Sequence, residues 1–312
     1  MRTLIRYLRE HLKADFRTDL YVSAAVFLAV CISINYYLDL EDSYIDAYRG
    51  QNIRIVYYFL LYAFAYYSGV ALWTRFHGRR DLWQRRDFWV YSLAGLGIYS
   101  WYAGFYGFNA WSYAVFDGQI YRFAFYCLRN LQSLLTVILP LVLFYRFVEK
   151  EPNGFYGLRP KWKGLQIYFI LLLCMVPLIT YASFQPSFLE SYPTYRDTDA
   201  NEFFNIPEWA TALIYELAYG WDFVPTELMF RGFLVIGMTR ILGRGAVLPM
   251  VITYAFIHFG KPPGETISSI FGGYILGVIA QQTRSIWGGI IIHLGVAWLM
   301  ELAAFLQLGL GQ

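Results

Sequence analysis

The chain has 312 residues, 58% hydrophobic and 15% charged, and a formal net charge of +3. Soluble domains average about 25% charged residues, so this composition excludes an ordinary soluble globule. The positive excess sits in loops between apolar runs and gives no reason to expect a nucleic-acid partner. Runs long enough to cross ~30 Å of hydrocarbon recur without the alternation of barrel strands, which leaves helices to satisfy the backbone within lipid. The predicted fold class is all-α, a polytopic membrane helical bundle of about eight or nine transmembrane helices.

Residues 2–17, RTLIRYLREHLKADFR, are basic and amphipathic. Two readings stand side by side: a helix lying on an anionic inner leaflet, and a solvated cytoplasmic start. The first apolar run follows Arg2, Arg6, Arg9, Lys13 and Arg17 and has full span length, so no cleavable signal peptide is expected. Spans are read at 20–38, 53–74, 88–107, 123–145, 165–184, 207–241, 246–260, 266–283 and 286–308. The organisation expected is a cytoplasmic amphipathic segment (1–19), N-terminal transmembrane spans (20–200) and a core transmembrane region carrying the chemistry (201–312).

Loop charge sets the orientation. Arg75, Arg79, Arg80, Arg85 and Arg86 follow the second span, and Arg146, Lys150, Arg159, Lys161 and Lys163 follow the fourth. The alternate loops are acidic, with Asp39, Glu41, Asp42 and Asp46 in one and Glu190, Asp197, Asp199, Glu202 and Glu208 in another. Positive-inside bias then places the N-terminus in the cytoplasm, with Arg240, Arg244 and Arg284 on the same side. The expected location is integral to a membrane, the bacterial inner (cytoplasmic) membrane. Trp73, Trp83, Trp89, Trp162, Trp209 and Trp221 fall near span ends, as interfacial aromatics do. Cys31, Cys127 and Cys174 lie in spans, so neither disulfides nor a cysteine metal site is expected. Asn130, beside Arg129 in the fourth span, reads as a hydrogen bonder to a backbone carbonyl rather than a site residue.

Ionisable residues at membrane depth mark functional sites by default. Here they are Glu227 and Arg231 in PTELMFRG, His258 in YAFIHFGKP and His293 in GGIIIHLGVAW. Glu227 and Arg231 are one helical turn apart and can pair. Pro225 and Thr226 read as a helix restart with Thr226 as N-cap. His258 precedes a helix stop, KPPG, and irregular backbone at this depth belongs where it lines a cavity or is buried in protein. The expectation is that Glu227, His258 and His293 converge in one polar chamber. Ser269, Gly273 and Gly277, with Gly288 and Gly289, read as close-packing devices between helices.

These motifs resemble the CPBP intramembrane proteases, which include CAAX prenyl endopeptidases and bacteriocin-processing proteins. PTELMFRGFL resembles the family's Glu-Glu-x-x-x-Arg, Tyr254-Ala-Phe-Ile-His258 its Phe-x-x-x-His, and His293-Leu-Gly-Val-Ala297 its His-x-x-x-Asn/Asp. The match runs over roughly residues 207–300. By resemblance, His258 is the water-activating histidine, His293 an oxyanion donor, and Glu227–Arg231 a structural pair that shapes the site. The chain departs from the pattern at Thr226 for the first Glu, Tyr254 for Phe and Ala297 for Asn. A threonine cannot serve as a carboxylate base, and losing one oxyanion donor costs ~10²–10³ in rate. Glu227 and Glu265 are the carboxylates near His258 that could compensate, with Glu265 favoured because Glu227 is committed to Arg231. Glu265 also suits a helix first turn. Glu301 reads as lying near the far interface.

The function expected is an intramembrane endopeptidase that cleaves a membrane-associated peptide, lipidated or leader-bearing, with a His/Glu-activated water. The alternative is a non-catalytic homologue that acts as a membrane scaffold or peptide-binding protein, for which Thr226 and Ala297 speak. No cofactor is expected. If zinc is used, as in older accounts of the family, His258 and His293 are its ligands, although their spacing is not that of a zincin helix. The partners expected are a membrane-embedded peptide or protein substrate and the lipid bilayer.

Overall fold

The computed structural model describes residues 2–149, 154–159 and 165–310; Lys150, Lys161, Trp162 and Lys163 lie outside them. In chain order the first helices are α1 Arg2–Asp15, α2 Thr18–Leu38, α3 Ile53–His77, α4 Arg86–Gly104, α5 Gly107–Val115, α6 Gly118–Leu131, α7 Leu139–Phe144 and α8 Gln166–Ser183. They are followed by α9 Pro186–Ser191, α10 Ala200–Phe204, α11 Glu208–Trp221, α12 Phe223–Glu227, α13 Thr239–Leu242, α14 Val247–Phe256, α15 Pro263–Thr283 and α16 Trp287–Leu310. No strand occurs among the described residues, and the fold is all-α.

Among the described residues, six helical stretches are long and apolar enough to cross a membrane: Thr18–Leu38, Ile53–His77, Ile120–Glu149, Gln166–Ser183, Glu208–Phe256 and Trp287–Gly309. The spans expected at 88–107 and 266–283 are helical, as α4 and α15, but fall outside these six. Their Gly, Ser, Tyr and Trp content in α4, and Glu, Ser and Gln content in α15, dilutes the apolar run. The stretches read as 207–241 and 246–260 run together within Glu208–Phe256. Lipid-facing stripes recur at helical spacing: on α2, Val22, Val26, Val30 and Ile34 are exposed while Leu20, Ala24, Leu28 and Asn35 are buried.

The helices form two compact units that interleave along the sequence. The first comprises residues 1–105, 136–160 and 227–286; the second comprises 106–135, 161–226 and 287–312. In the first unit, α2, α3 and α14 share a core of Leu20, Leu28, Ala65, Trp73, Ile252 and Phe256. α15 lies against α14 through its small residues. A Cβ on Gly273 would sit 3.1 Å from the Tyr254 ring, and one on Gly277 would sit 2.6 Å from Met250 Cε. That is the close approach the spacing of Ser269, Gly273 and Gly277 implies.

The first unit has two polar ends. At one, α1 buries His11 and Asp15, and Asp15 Oδ1 accepts from Trp73 Nε1 at 3.0 Å. The end of α15 reaches the same region, with Gln281 Nε2 donating to Gly243 O. At the other end, the acidic turn after α2 holds Glu41 and Asp46, and Arg54 Nε donates to Asp46 Oδ1 at 3.0 Å. Burial pushes the Glu41 carboxyl up to about 7; Asp46 and Asp42 add to the rise and the Tyr58 hydroxyl opposes it.

The second unit is built around α6, α11, α8 and α16. Ile120, Phe123, Cys127, Tyr215 and Ala218 form one core, and Phe188, Tyr192 and Ala304 another. α16 runs along α8, where Gly288 accommodates the Tyr168 ring. Asn130 is buried and its Nδ2 donates to Tyr126 O at 3.1 Å, a carbonyl one turn back on its own helix rather than on a packed neighbour.

Candidate active site

The first unit contains Glu227, Arg231, Tyr254, His258 and Glu265; the second contains Thr226, His293, Ala297 and Glu301.

Glu227 ends α12, and the chain continues as a π-helical stretch, Leu228–Gly237, that carries Arg231. π-turns within helices are frequent at functional sites. Glu227 and Arg231 are 0% and 1% exposed, and Arg231 Nη1 lies 2.9 Å from Glu227 Oε1. At Nη1 the contact has ion-pair distance without hydrogen-bond alignment. The guanidinium also stacks on Tyr254, 4.1 Å from the ring centroid. The buried Tyr254 ring in turn meets the His258 imidazole edge-on at 4.8 Å and Phe230 at 5.1 Å. Glu227, Arg231, Tyr254 and His258 therefore form a continuous chain of contacts, with Tyr254 at its centre.

His258 Nδ1 lies 2.7 Å from Tyr254 O. A carbonyl only accepts, so Nδ1 carries the hydrogen and Nε2 is the lone-pair nitrogen of the neutral ring. The turn after His258 descends from α14 through His258 N→Ala255 O and Phe259 N→Phe256 O, then closes with Lys261 N→His258 O at 2.9 Å. Pro262 and Pro263 open α15, and Glu265 sits half-buried in its first turn, where a carboxylate complements the helix dipole.

In the second unit the residue at the lost motif glutamate turns away from chemistry. Thr226 Oγ1 donates to Asp222 O at 2.9 Å, the back-bond of a threonine inside a helix. This corrects the expected N-cap: the chain is already helical at Phe223, and Pro225 falls near the start of α12, where a missing N–H costs little. His293, in the second turn of α16, lies against Phe223 with ring centroids 4.4 Å apart, and Ala297 is buried one turn later. Glu301 is 2% exposed. Both its oxygens accept from Thr194 N at 2.9 Å and Oε1 accepts from Thr194 Oγ1 at 2.8 Å, because the segment around Thr194 folds over α16. Glu216 lies beside Glu301 with both carboxyl oxygens buried, a neighbour that sequence spacing gave no means to find.

For a metal, the donor set decides. Among the described residues, only Glu41, Asp42 and Asp46 bring three potential ligand atoms within 4.8 Å of one another. That all-carboxylate set lacks the nitrogen or sulfur donors of zinc sites, and it does not include His258. These residues do not fit the zinc centre of the older family accounts.

Residues 206–299 match the family described as type II CAAX prenyl endopeptidase Rce1-like. No curated protein and no solved structure matches the chain significantly. The matched segment is less than a third of the chain and contains Thr226, Glu227, Arg231, Tyr254, His258, Glu265, His293 and Ala297. Over residues 206–299 the chain is therefore similar to that family.

Proposed function

We propose that this protein is an intramembrane endopeptidase that hydrolyses a peptide bond in a membrane-associated substrate, lipidated or leader-bearing. The observation that carries the reading is His258, with Nδ1 tied to a backbone carbonyl and its ring against the tyrosine that stacks on the Glu227–Arg231 pair. In this scheme His258 Nε2 takes a proton from water and the water oxygen bonds to the scissile carbonyl carbon. That proton then leaves on the departing amine nitrogen. Glu227–Arg231 fixes the charge behind Tyr254, and Glu265 is the auxiliary carboxylate that stands in for Thr226. His293 is the oxyanion donor of the scheme. Ala297 supplies no second donor, at a cost of about 10²–10³ in rate. The scheme routes no step through a metal.

In the same reading the N-terminus is cytoplasmic and the protein sits in the bacterial inner membrane. Support comes from the first unit, where Arg244 and the buried face of α1 share one end and Glu41, Asp42 and Asp46 lie at the other. A second reading, a non-catalytic homologue that holds peptides, is favoured by the Thr226 hydroxyl being spent on Asp222 O. The test is cleavage of a fluorogenic membrane-peptide library by the purified protein in detergent. Cleavage that His258→Ala abolishes supports the enzyme; a library left intact under all conditions supports the peptide-binding homologue.

A further inference from the structure

The helix stop after His258 is held by side chains that lie far from it in sequence. A helix end leaves carbonyls without intrahelical partners, and at membrane depth those carbonyls need protein donors. In the turn after α14, three are met by side chains. Thr266 Oγ1, on a residue with no exposure, donates to His258 O at 2.6 Å. Asn35 Nδ2, on the buried face at the end of α2, donates to Phe259 O at 3.2 Å. Tyr36 Oη donates its one hydrogen to Lys261 O at 2.6 Å and lies 2.6 Å from Thr266 Oγ1. The other half of the Asn35 amide is also engaged, its Oδ1 accepting from Glu41 N at 3.2 Å. Glu41 itself lies against the turn: a Cβ on Gly260 would meet its Oε2 at 2.5 Å.

We infer that Asn35, Tyr36 and Thr266 are positioning residues for His258, gripping its own carbonyl and two of the next three so that the imidazole keeps one orientation. Asn35 and Tyr36 lie outside the segment that matches the family, and these bonds tie the end of α2 to the turn after His258. The inference rests on the reading of His258 as the water-activating base, but its geometry concerns the turn and can be measured without any substrate. Hydroxyl donors are the operative groups at Tyr36 and Thr266. Removing the Thr266 hydroxyl takes one donor from His258 O, which Lys261 N also reaches, and removing the Tyr36 hydroxyl takes a donor from Lys261 O, whereas changing shape with the hydroxyl retained does neither.

The test compares Tyr36→Phe and Thr266→Val with Thr266→Ser, which keeps the hydroxyl. Two readouts are taken on the purified full-length protein: hydrogen exchange of peptides covering 257–266, and the pH–rate profile of His258 acylation by diethyl pyrocarbonate, followed by peptide mass spectrometry. The expected result is exchange faster by about tenfold, confined to this turn, and an altered His258 acylation profile in Tyr36→Phe and Thr266→Val, with Thr266→Ser close to wild type. Unchanged exchange and unchanged acylation in Tyr36→Phe and Thr266→Val overturn the inference. So does faster exchange spread evenly over the first unit, which marks general destabilisation. If a cleaved peptide is in hand, the same variants lower kcat with KM near wild type. If no peptide is cleaved, the endopeptidase reading fails while the turn measurements still decide the positioning role.

Discussion

Replacing Arg231 by alanine removes the cation from a pair whose side chains are 1% and 0% exposed. The Glu227 carboxylate is then left buried without its counter-charge, and breaking a buried pair from one side typically costs about 3–5 kcal/mol. The stacking of the guanidinium on Tyr254 at 4.1 Å is lost as well, worth on the order of 1–2 kcal/mol in a desolvated setting. At roughly 2–4 °C per kcal/mol for chains of about 150–250 residues, melting should fall by on the order of 10 °C. Arg231→Lys keeps the charge but not the planar stack and should land between the two. The double variant Glu227→Gln/Arg231→Met removes both charges and should recover a large part of the loss, since no ion is stranded. Intrinsic tryptophan fluorescence during heating in detergent, with membrane expression level alongside, reads the series. Wild-type melting and expression for Arg231→Ala would refute the reasoning, because the pair would then hold nothing.

Protonation supplies two further tests, of opposite sign at different groups. Burial lowers the His11 pKa below its ordinary 6.5; Asp15 opposes this, Arg244 adds to it and the Gln281 contact opposes it. A histidine held neutral on docking favours the docked state above its free value and loses that as pH falls, so α1 should loosen between about pH 7 and 5, seen as faster hydrogen exchange over residues 4–15, and His11→Gln should flatten the profile. Glu41 is raised from 4.5 to about 7, so the folded state binds its proton more tightly. Its contribution is therefore present at low pH and lost as pH rises from about 4.5 to 7, and Glu41→Gln should be relatively more stable than wild type at pH 8. For catalysis, Glu265→Gln should reduce turnover on any cleaved peptide by about 10²–10⁴ with the fold intact, while Glu227→Gln should lower stability together with activity. If neither substitution slows cleavage, no carboxylate takes part.

What could be read from the sequence was what local spacing determines. Apolar runs gave the helices, and a separation of four residues gave the Glu227–Arg231 pair before its 2.9 Å contact was seen. Small residues at one-turn intervals gave the approach of α15 to Tyr254 and Met250. What escaped depends on contacts across hundreds of residues or on backbone detail. The donors to the turn after His258 come from Asn35 and Tyr36, at separations of 224 and 225 residues, and nothing in INYY announces them. The cover of Glu301 by the segment bearing Thr194 spans 107 residues and has no local signal. The π-helical course of Leu228–Gly237 carries no composition signal, and Thr226 was misread as a cap because Pro225 beside it suggested a break where the chain is continuous.

The central claim is that His258 activates water for peptide cleavage despite the threonine at position 226. The most direct measurement is the rate of peptide hydrolysis in reconstituted vesicles by the wild-type chain, His258→Ala and Thr226→Glu/Ala297→Asn on the same membrane-anchored peptides. The account predicts cleavage by wild type, a loss of at least about a hundredfold in His258→Ala, and at most a faster version of the same cleavage in the double variant. Cleavage by His258→Ala at the wild-type rate, or an inert wild type beside an active Thr226→Glu/Ala297→Asn, would contradict it.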